Sequence, residues 1–440
     1  MERTYFCIDL KSFYASVECI ARGLDPMKDN LVVADPKRTR TTICLAVTPA
    51  MKALGVRNRC RVFEIPDGIE YVMAKPRMKL YMKVSAFIYS LYLRYVSAED
   101  VHVYSIDECF IDATPYLSYY DVRPREFAKM FIDLVRSETG ISATAGIGPN
   151  LFLAKVALDV TAKHAPDGIG VLDEESFRRE VWFHQPITDI WGIGPGTARR
   201  LARYGVFDLA GVASLDPATL HRDFGKNAEY LIDHAWGLEA CTMYDIHAYT
   251  PKAHSVTNGQ VLACDYSREE ALVVMREMVE ASVLDIVGKG LVCERVSLDV
   301  GYAMEGQPMG DFEVFDGGHG KRLIGANRFQ GHTGGCRKLS RPTNSRKAIM
   351  DALCDLFEET TLRGCCVRRL SIGLADLSPE DAITPSLFDF EEGESRERDL
   401  QDAIIAVQGK FGKNAMMRAA SLQEKATMRE RNMQVGGHRA

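Results

Sequence analysis

The chain has 440 residues, a hydrophobic fraction of 46%, twelve cysteines and a formal net charge of −6. That is more chain than one ordinary core holds, so two to four domains are expected. The acidic balance argues against a uniformly basic nucleic-acid binder, although it says nothing of local patches.

The start, "MERTYFCIDL", lacks a basic region followed by a long apolar stretch, and no apolar run reaches the length of a membrane span. No two cysteines form a C-x-x-C pair, and the one cluster is Cys365-Cys366. Zinc or iron–sulfur ligation and a disulfide framework are therefore not expected, whereas reduced thiols in a cytoplasmic protein are.

In chain order, "TYFCIDL" reads as a strand and 12–21 as a short helix. "NLVVAD" is a strand and "TPAMKALGV" a short helix closed by Gly55. A long amphipathic helix is predicted over about 77–96. It is followed by an apolar strand–turn–strand, "VHVYSIDECFIDAT", a helix over 124–139 and the strand "ISATAGIG". "FLAKVALDVTAK" is a further amphipathic helix, so strands alternate with helices in an α+β or α/β core.

From about Glu174 the texture turns helical with glycine punctuation, "ITDIWGIGPGTARRLARYGV", to about Tyr244. "IHAYTPKAHSVTNG" reads as a linker. A third unit then runs strand ("QVLACD"), helix (267–287), strand ("CERVSLDVGYA"), basic stretch, helix (345–359) and strand ("VRRLSIGLADL"). After Ser378 the chain is acidic and loop-like, with a last helix over about 400–411.

The chemistry concentrates in carboxylates. Asp9 ends an apolar strand, and Asp107-Glu108 interrupts an otherwise apolar hairpin. Acids in such company are costly unless a cation neutralises them. Hard divalent ions, Mg²⁺ above all, suit an oxygen-only cluster. The plainer alternative makes Asp107-Glu108 a solvated turn and Asp9 a helix cap.

Taken together, "CIDLKSFYASVE", "YSIDECFID" and "NLFLAKVALD" resemble the signature segments of the Y-family, or translesion, DNA polymerases. The third unit and the tail resemble the bacterial branch that contains the catalytic subunit of polymerase V and its Gram-positive relatives. The resemblance implies an α+β, multidomain right-hand polymerase. Its palm would be 1–16 and 76–173, its short fingers 17–75, and its helix-hairpin-helix thumb 174–245. A linker over 246–257, an α/β little finger over 258–378 and a tail over 379–440 complete it.

It also implies that Asp9, Asp107, Glu108 and the Leu10 carbonyl hold two Mg²⁺ ions. Tyr14 matches the steric gate that excludes a ribose 2′-hydroxyl, with Phe13 beside it under the sugar. Ser105 matches a neighbouring serine with a local hydrogen-bonding role, and Lys155 a lysine that reaches the triphosphate. Lys52 stands where many relatives have an arginine, and Pro49 where they have a tyrosine. The triphosphate contacts are thus expected to be redistributed, with Thr48 or Arg38 as helpers.

For DNA, "GIGPGTARRLARYGV" has the form of a helix-hairpin-helix: Gly192 and Gly194 make the turn, and Arg199, Arg200 and Arg203 add charge. Between 317 and 350 there is no Asp or Glu, but Lys321, Arg322, Arg328, Arg337, Lys338, Arg341, Arg346 and Lys347 are present. A phosphate-tracking face with 337–341 on a strand is expected. "TPSLFDF", with Leu387 and Phe388 as anchors, resembles a sliding-clamp hook whose usual first glutamine is replaced by Thr384.

The function implied is a monomeric, error-prone translesion polymerase without proofreading that takes dNTPs onto primer–template DNA during the SOS response to damage. A catalytically weak DNA-binding scaffold at stalled forks is the alternative. A two-metal nuclease would share the carboxylates but not need the gate or thumb.

Overall fold

A computed structural model describes residues 3–36, 40–251, 254–303, 312–315, 321–324, 331–382 and 392–439. They form two compact units, one of residues up to Tyr249 together with the chain end from His438, the other of Thr250–Gly437.

In the first unit, β1 (Tyr5–Leu10), α1 (Phe13–Ile20), β2 (Leu31–Val33), β3 (Ala46–Val47), α2 (Pro49–Ala53), β4 (Val72–Ala74) and α3 (Met78–Tyr92) come first. Then follow β5 (Val101–Val103), β6 (Glu108–Asp112), α4 (Thr114–Tyr120), α5 (Pro124–Thr139), β7 (Ala143–Gly148), α6 (Leu151–Val156) and β8 (Ile169–Val171). One sheet has the order β5-β6-β1-β7-β8, with β1 antiparallel to both neighbours. β1 is central, so both its faces are covered and its sequence is apolar except for Asp9. The small sheet β3-β2-β4 stands apart from it in sequence.

The helix read as "FLAKVALDVTAK" is straight α only to Val156. A π segment, Ala157–Thr161, and a 3₁₀ turn, Ala162–His164, continue it. Three glycines let this helix lie almost on the sheet. A Cβ added to Gly146 would stand 2.0 Å from the Ala154 carbonyl oxygen, one on Gly148 2.6 Å from the Ala154 nitrogen, and one on Gly170 2.4 Å from the Ala157 carbonyl oxygen. Glycine is required here for close approach, not for conformation.

The helical remainder comprises α7 (Glu174–Glu180), α8 (Pro195–Leu201), α9 (Leu209–Ser214), α10 (Pro217–Phe224), α11 (Asn227–Ala235) and α12 (Met243–Ala248). Phe152 and Leu153 of α6 share a core with Phe177, Leu201, Leu220 and Leu231, so these helices fold against the sheet's own layer.

The second unit holds β9 (Ser255–Tyr266), α13 (Arg268–Gly288), β10 (Leu291–Tyr302), β11 (Phe312–Phe315), β12 (Lys321–Ile324), β13 (His332–Thr343), α14 (Arg346–Thr360) and β14 (Val367–Ala375). The linker expected over 246–257 is shorter than read, because α12 runs to Ala248 and β9 begins at Ser255. The antiparallel sheet β13-β10-β14-β9 turns Val296, Leu298, Leu370 and Ile372 toward α13 and α14, which cover that face.

The tail is not only loop. α15 (Glu392–Phe411) is longer than the predicted final helix, and α16 (Met428–Arg431) follows it. Two buried glutamates of α13 anchor this end of the chain. Glu280 takes Arg418 at 2.8 Å and also pairs with Arg346. Glu277 accepts the amides of Thr427 at 2.7 Å and Met428 at 3.1 Å.

Candidate active site

The register of β1 on β6 sets Asp9 opposite Glu108. The Leu10 amide donates to the Asp107 carbonyl at 2.9 Å, which ties the hairpin to the same strand end. Asp9, Asp107 and Glu108, a hundred residues apart in sequence, therefore meet at one place. The plainer reading of Asp9 as a helix cap does not hold: Ser12 precedes α1, with φ of 48°, and no side chain caps that helix.

Each carboxylate has a different surrounding. Ser105 Oγ donates to Asp107 Oδ1 at 2.7 Å. Glu108 accepts Lys155 Nζ at 2.9 Å and the Cys7 thiol at 3.1 Å. Lys155 is shared with Asp159, 3.1 Å away and one helical turn on. Burial opposes the Lys155 charge, but Cys7, Glu108 and Asp159 outweigh it and hold its pKa above the ordinary lysine value.

Asp9 has no such bond. Burial, then the charges of Asp107 and Glu108, push its pKa up to about 7, with Lys155 opposing. Two carboxylates beside a third cannot all stay ionised without more positive charge. Among the described residues no three His, Cys, Asp or Glu side chains form a ready-made metal cage. The donor set itself, all hard oxygen and short of one or more positive charges, nevertheless fits divalent cations of the Mg²⁺ kind.

Tyr14 stands half-exposed on the first turn of α1. Burial and then Asp107 raise its pKa, which puts the phenol within electrostatic reach of the carboxylates. Phe13 is 2% exposed and lies under it with ring centroids 5.9 Å apart. The Tyr14 ring stacks on Tyr81 of α3 with centroids 4.6 Å apart. Sequence reasoning missed Tyr81, as it missed Cys7 and Asp159; only Asp159, four residues after Lys155, had a readable signal.

Lys52 is exposed on α2. Partial burial lowers its pKa while Asp9 pulls it back up, so it too lies within electrostatic reach of the cluster. Pro49 is the first residue of α2. Thr48 is no helper for the triphosphate: it is fully buried, accepting the amides of Leu31 at 3.2 Å and Met51 at 3.4 Å. Arg38 lies outside the described residues.

At the helix-hairpin-helix turn, Gly192 has a φ of +84° and Gly194 is the N-cap of α8. Arg199 Nε bonds the Pro195 carbonyl at 3.3 Å, and the Arg200 guanidinium lies 4.2 Å over the Phe224 ring. The neighbouring Trp191 donates to the Tyr104 hydroxyl at 3.1 Å and packs on Phe110. The turn is thereby braced against the hairpin that carries Asp107.

On β13 the basic residues separate. Arg337 pairs with Val296, a core position, and its guanidinium is held by Glu359 at 2.7 Å and Asp355 at 3.4 Å. Lys338 pairs with Arg295 on the opposite face, 70% exposed along its side chain and 3.7 Å from Glu294. Arg341 is half-buried further along the strand. The side chains of Lys321 and Arg322, all of Arg328, and Leu387 and Phe388 of the clamp-like segment lie outside the described residues.

Residues 8–159 match the impB/mucB/samB family, and residues 253–387 the C-terminal domain of that family. The chain is 31% identical over 440 residues to "DNA polymerase IV 2" of Bacillus subtilis (strain 168), covering 99% of each. It is 29% identical over 446 residues to "DNA polymerase IV 2" of Halalkalibacterium halodurans, covering 100% of each. Among solved structures, a Y-family DNA polymerase chimera, Dbh-Dpo4(243-245)-Dbh, superposes with a TM-score of 0.61 at 20% identity, over 85% of this chain and 98% of that one. The palm, fingers, thumb and little finger expected from sequence agree with that fold. The chain belongs to the impB/mucB/samB family and is a Y-family, translesion DNA polymerase.

Proposed function

We propose that this polymerase extends primer 3′-ends with dNTPs opposite damaged templates, using Asp9, Asp107 and Glu108 as its catalytic carboxylates. The observation that carries the reading is the β1–β6 register that sets Asp9 across from Glu108, with Asp107 beside it. These three side chains and the Leu10 carbonyl would hold two Mg²⁺ ions. When bound, the ions supply the charge that makes the primer hydroxyl a better nucleophile and the pyrophosphate a better leaving group.

The chain's own residues do the rest. Ser105 fixes one oxygen of Asp107, leaving the other free to ligate. Lys155, paired with Glu108 and Asp159, would meet a triphosphate as a point charge by exchanging one of those partners for it. Lys52 supplies a second charge from the fingers. Tyr14, half-exposed beside Asp107, closes the space a ribose 2′-hydroxyl needs, with Phe13 beneath it.

On the DNA side, the Gly192–Gly194 turn with Arg199 and Arg200 grips backbone phosphate, and in the little finger Lys338 and Arg341 are separate phosphate contacts. Short fingers leave little protein to check the nascent pair. Error-prone synthesis without proofreading, in the SOS response to DNA damage, follows from that reading. So does a monomer working in the cytoplasm at the nucleoid, recruited to a sliding clamp through Leu387 and Phe388.

The test is primer extension with Mg²⁺ and dNTPs. Chelation by EDTA and the substitution Asp107→Ala are each expected to abolish it. Extension that survives Asp107→Ala would remove the mechanism; a wild-type protein that fails to extend the primer would leave the scaffold reading.

A further inference from the structure

The ring read above as the sugar gate does not stand alone. Tyr14 lies on α1, and the ring behind it belongs to Tyr81 on α3; the two planes are 20° from parallel with centroids 4.6 Å apart. Tyr81 is fully buried, and its hydroxyl donates to Glu18 Oε1 at 2.8 Å. Glu18 sits one helical turn after Tyr14 and its side chain is completely buried. It is gripped by Arg77 through Nε at 2.9 Å and Nη2 at 2.8 Å, and it also pairs with Arg22.

Two i, i+4 pairs therefore face each other: Tyr14 and Glu18 on α1, Arg77 and Tyr81 at the start of α3. The arrangement is a closed set of contacts in which every polar atom of the Glu18 carboxylate has a partner. A buried carboxylate with a forked arginine partner is rigid in a way that a surface pair is not.

Exclusion of one hydroxyl group demands that rigidity. A half-exposed phenol pivots on two side-chain torsions, and a displacement of about 1 Å would admit the extra oxygen. Tyr81 backs one face of the half-exposed Tyr14 ring, so the ring can retreat in that direction only if Tyr81 moves. Tyr81 cannot move without breaking its bond to Glu18.

From this geometry we propose that Tyr81, anchored by Glu18 and Arg77, is the positioning residue that fixes Tyr14 and so sets discrimination between deoxyribonucleoside and ribonucleoside triphosphates. Tyr81 touches no reacting atom; it acts through Tyr14. The proposal rests on the reading of Tyr14 as the gate, and the experiment separates the two.

Single-turnover incorporation of dNTP and rNTP on one primer–template is measured for wild type, Tyr14→Ala, Tyr81→Leu, Tyr81→Phe, Glu18→Gln and the double variant Tyr14→Ala/Tyr81→Leu. Thermal melts accompany each. Tyr81→Phe keeps the stacked ring and removes only the hydroxyl, so it remains informative if Glu18→Gln or Tyr81→Leu folds poorly.

The expected result is a fall in the dNTP/rNTP ratio of roughly tenfold or more for Tyr81→Leu, a smaller fall for Tyr81→Phe and Glu18→Gln, and no further fall when Tyr81→Leu is added to Tyr14→Ala. If Tyr14→Ala lowers the ratio while Tyr81→Phe and Tyr81→Leu leave it at the wild-type value, the gate stands and the proposal is overturned. Additive losses in the double variant overturn it as well, because Tyr81 would then act independently of Tyr14. A ratio unchanged in Tyr14→Ala removes the gate and the proposal together.

Discussion

Gly146→Ala is the smallest change that tests how the candidate active site is positioned. The added methyl would stand 2.0 Å from the Ala154 carbonyl oxygen and 2.3 Å from the Leu158 nitrogen, where ordinary contact begins at 3.4 Å. Both neighbours are backbone of the helix that carries Lys155, so no side chain can swing aside. Either β7 or the helix must retreat by more than an ångström. Overpacking that shifts backbone costs about 3 kcal/mol or more. In a unit of this size that lowers the first unit's thermal midpoint by about 6–12 °C. The same retreat would stretch the 2.9 Å bond from Lys155 to Glu108, and a misplacement of about 1 Å costs on the order of a hundredfold in rate. Thermal denaturation followed by circular dichroism and single-turnover primer extension read the two effects. A Gly146→Ala protein within about 0.5 kcal/mol of wild type and equally active would show that the helix does not ride on the glycines.

Gly196→Ala, by contrast, places a methyl inside α8 with nothing within 4 Å, so a gain of about 0.5–1 kcal/mol in stability is expected in chemical denaturation. Glu18 gives a pH dependence. Burial raises its pKa, but the bonds from Arg77, Tyr81 and Arg22 outweigh burial and bring it below glutamate's ordinary 4.5. A carboxylate lowered on folding stabilises above its unfolded pKa, and that stability is lost as pH falls through the folded value. Wild type should therefore lose stability more steeply than Glu18→Gln below about pH 4.5, as acid titrations of the melting midpoint would show. In the little finger, Lys338→Ala should reduce the slope of log affinity for DNA against log salt by about 1. Arg337→Met should leave that slope unchanged and lower the second unit's melting midpoint instead, because Glu359 and Asp355 already hold that guanidinium.

The elements with a strong period were legible. The helix read over 124–139 is Pro124–Thr139, where Phe127, Phe131 and Val135 recur on one face and Gly140 ends it at a φ of 72°. The carboxylates were legible too, since Asp9 and Asp107-Glu108 are acids in apolar strands, though only the antiparallel register brings them together. What was not legible depended on a partner distant in sequence. Thr48 looked like a free hydroxyl near the phosphates, but its bond to the Leu31 amide is a product of strand placement. Arg337 and Lys338 read as equivalent cations, yet strand alternation sends one into the acids of α14 and the other to the open face. The tail read as acidic loop because its anchors, Glu277 and Glu280, lie on a helix some 150 residues earlier.

The stretch from Asp9 to Glu18 shows why burial alone does not mark a functional acid. Both carboxylates are removed from water, and burial pushes both pKa values upward. Glu18 receives Arg77, Arg22 and Tyr81, all supplied by the folded chain itself, and its pKa ends below the ordinary value. Asp9 receives two further carboxylates and a lysine already committed to Glu108, and its pKa ends at about 7. One site is electrostatically complete and holds two helices together; the other is left short of positive charge, which is what the proposed cation site requires. The sequence placed both acids within ten residues of each other, but which of them would be satisfied was decided by residues arriving from 77 and 107.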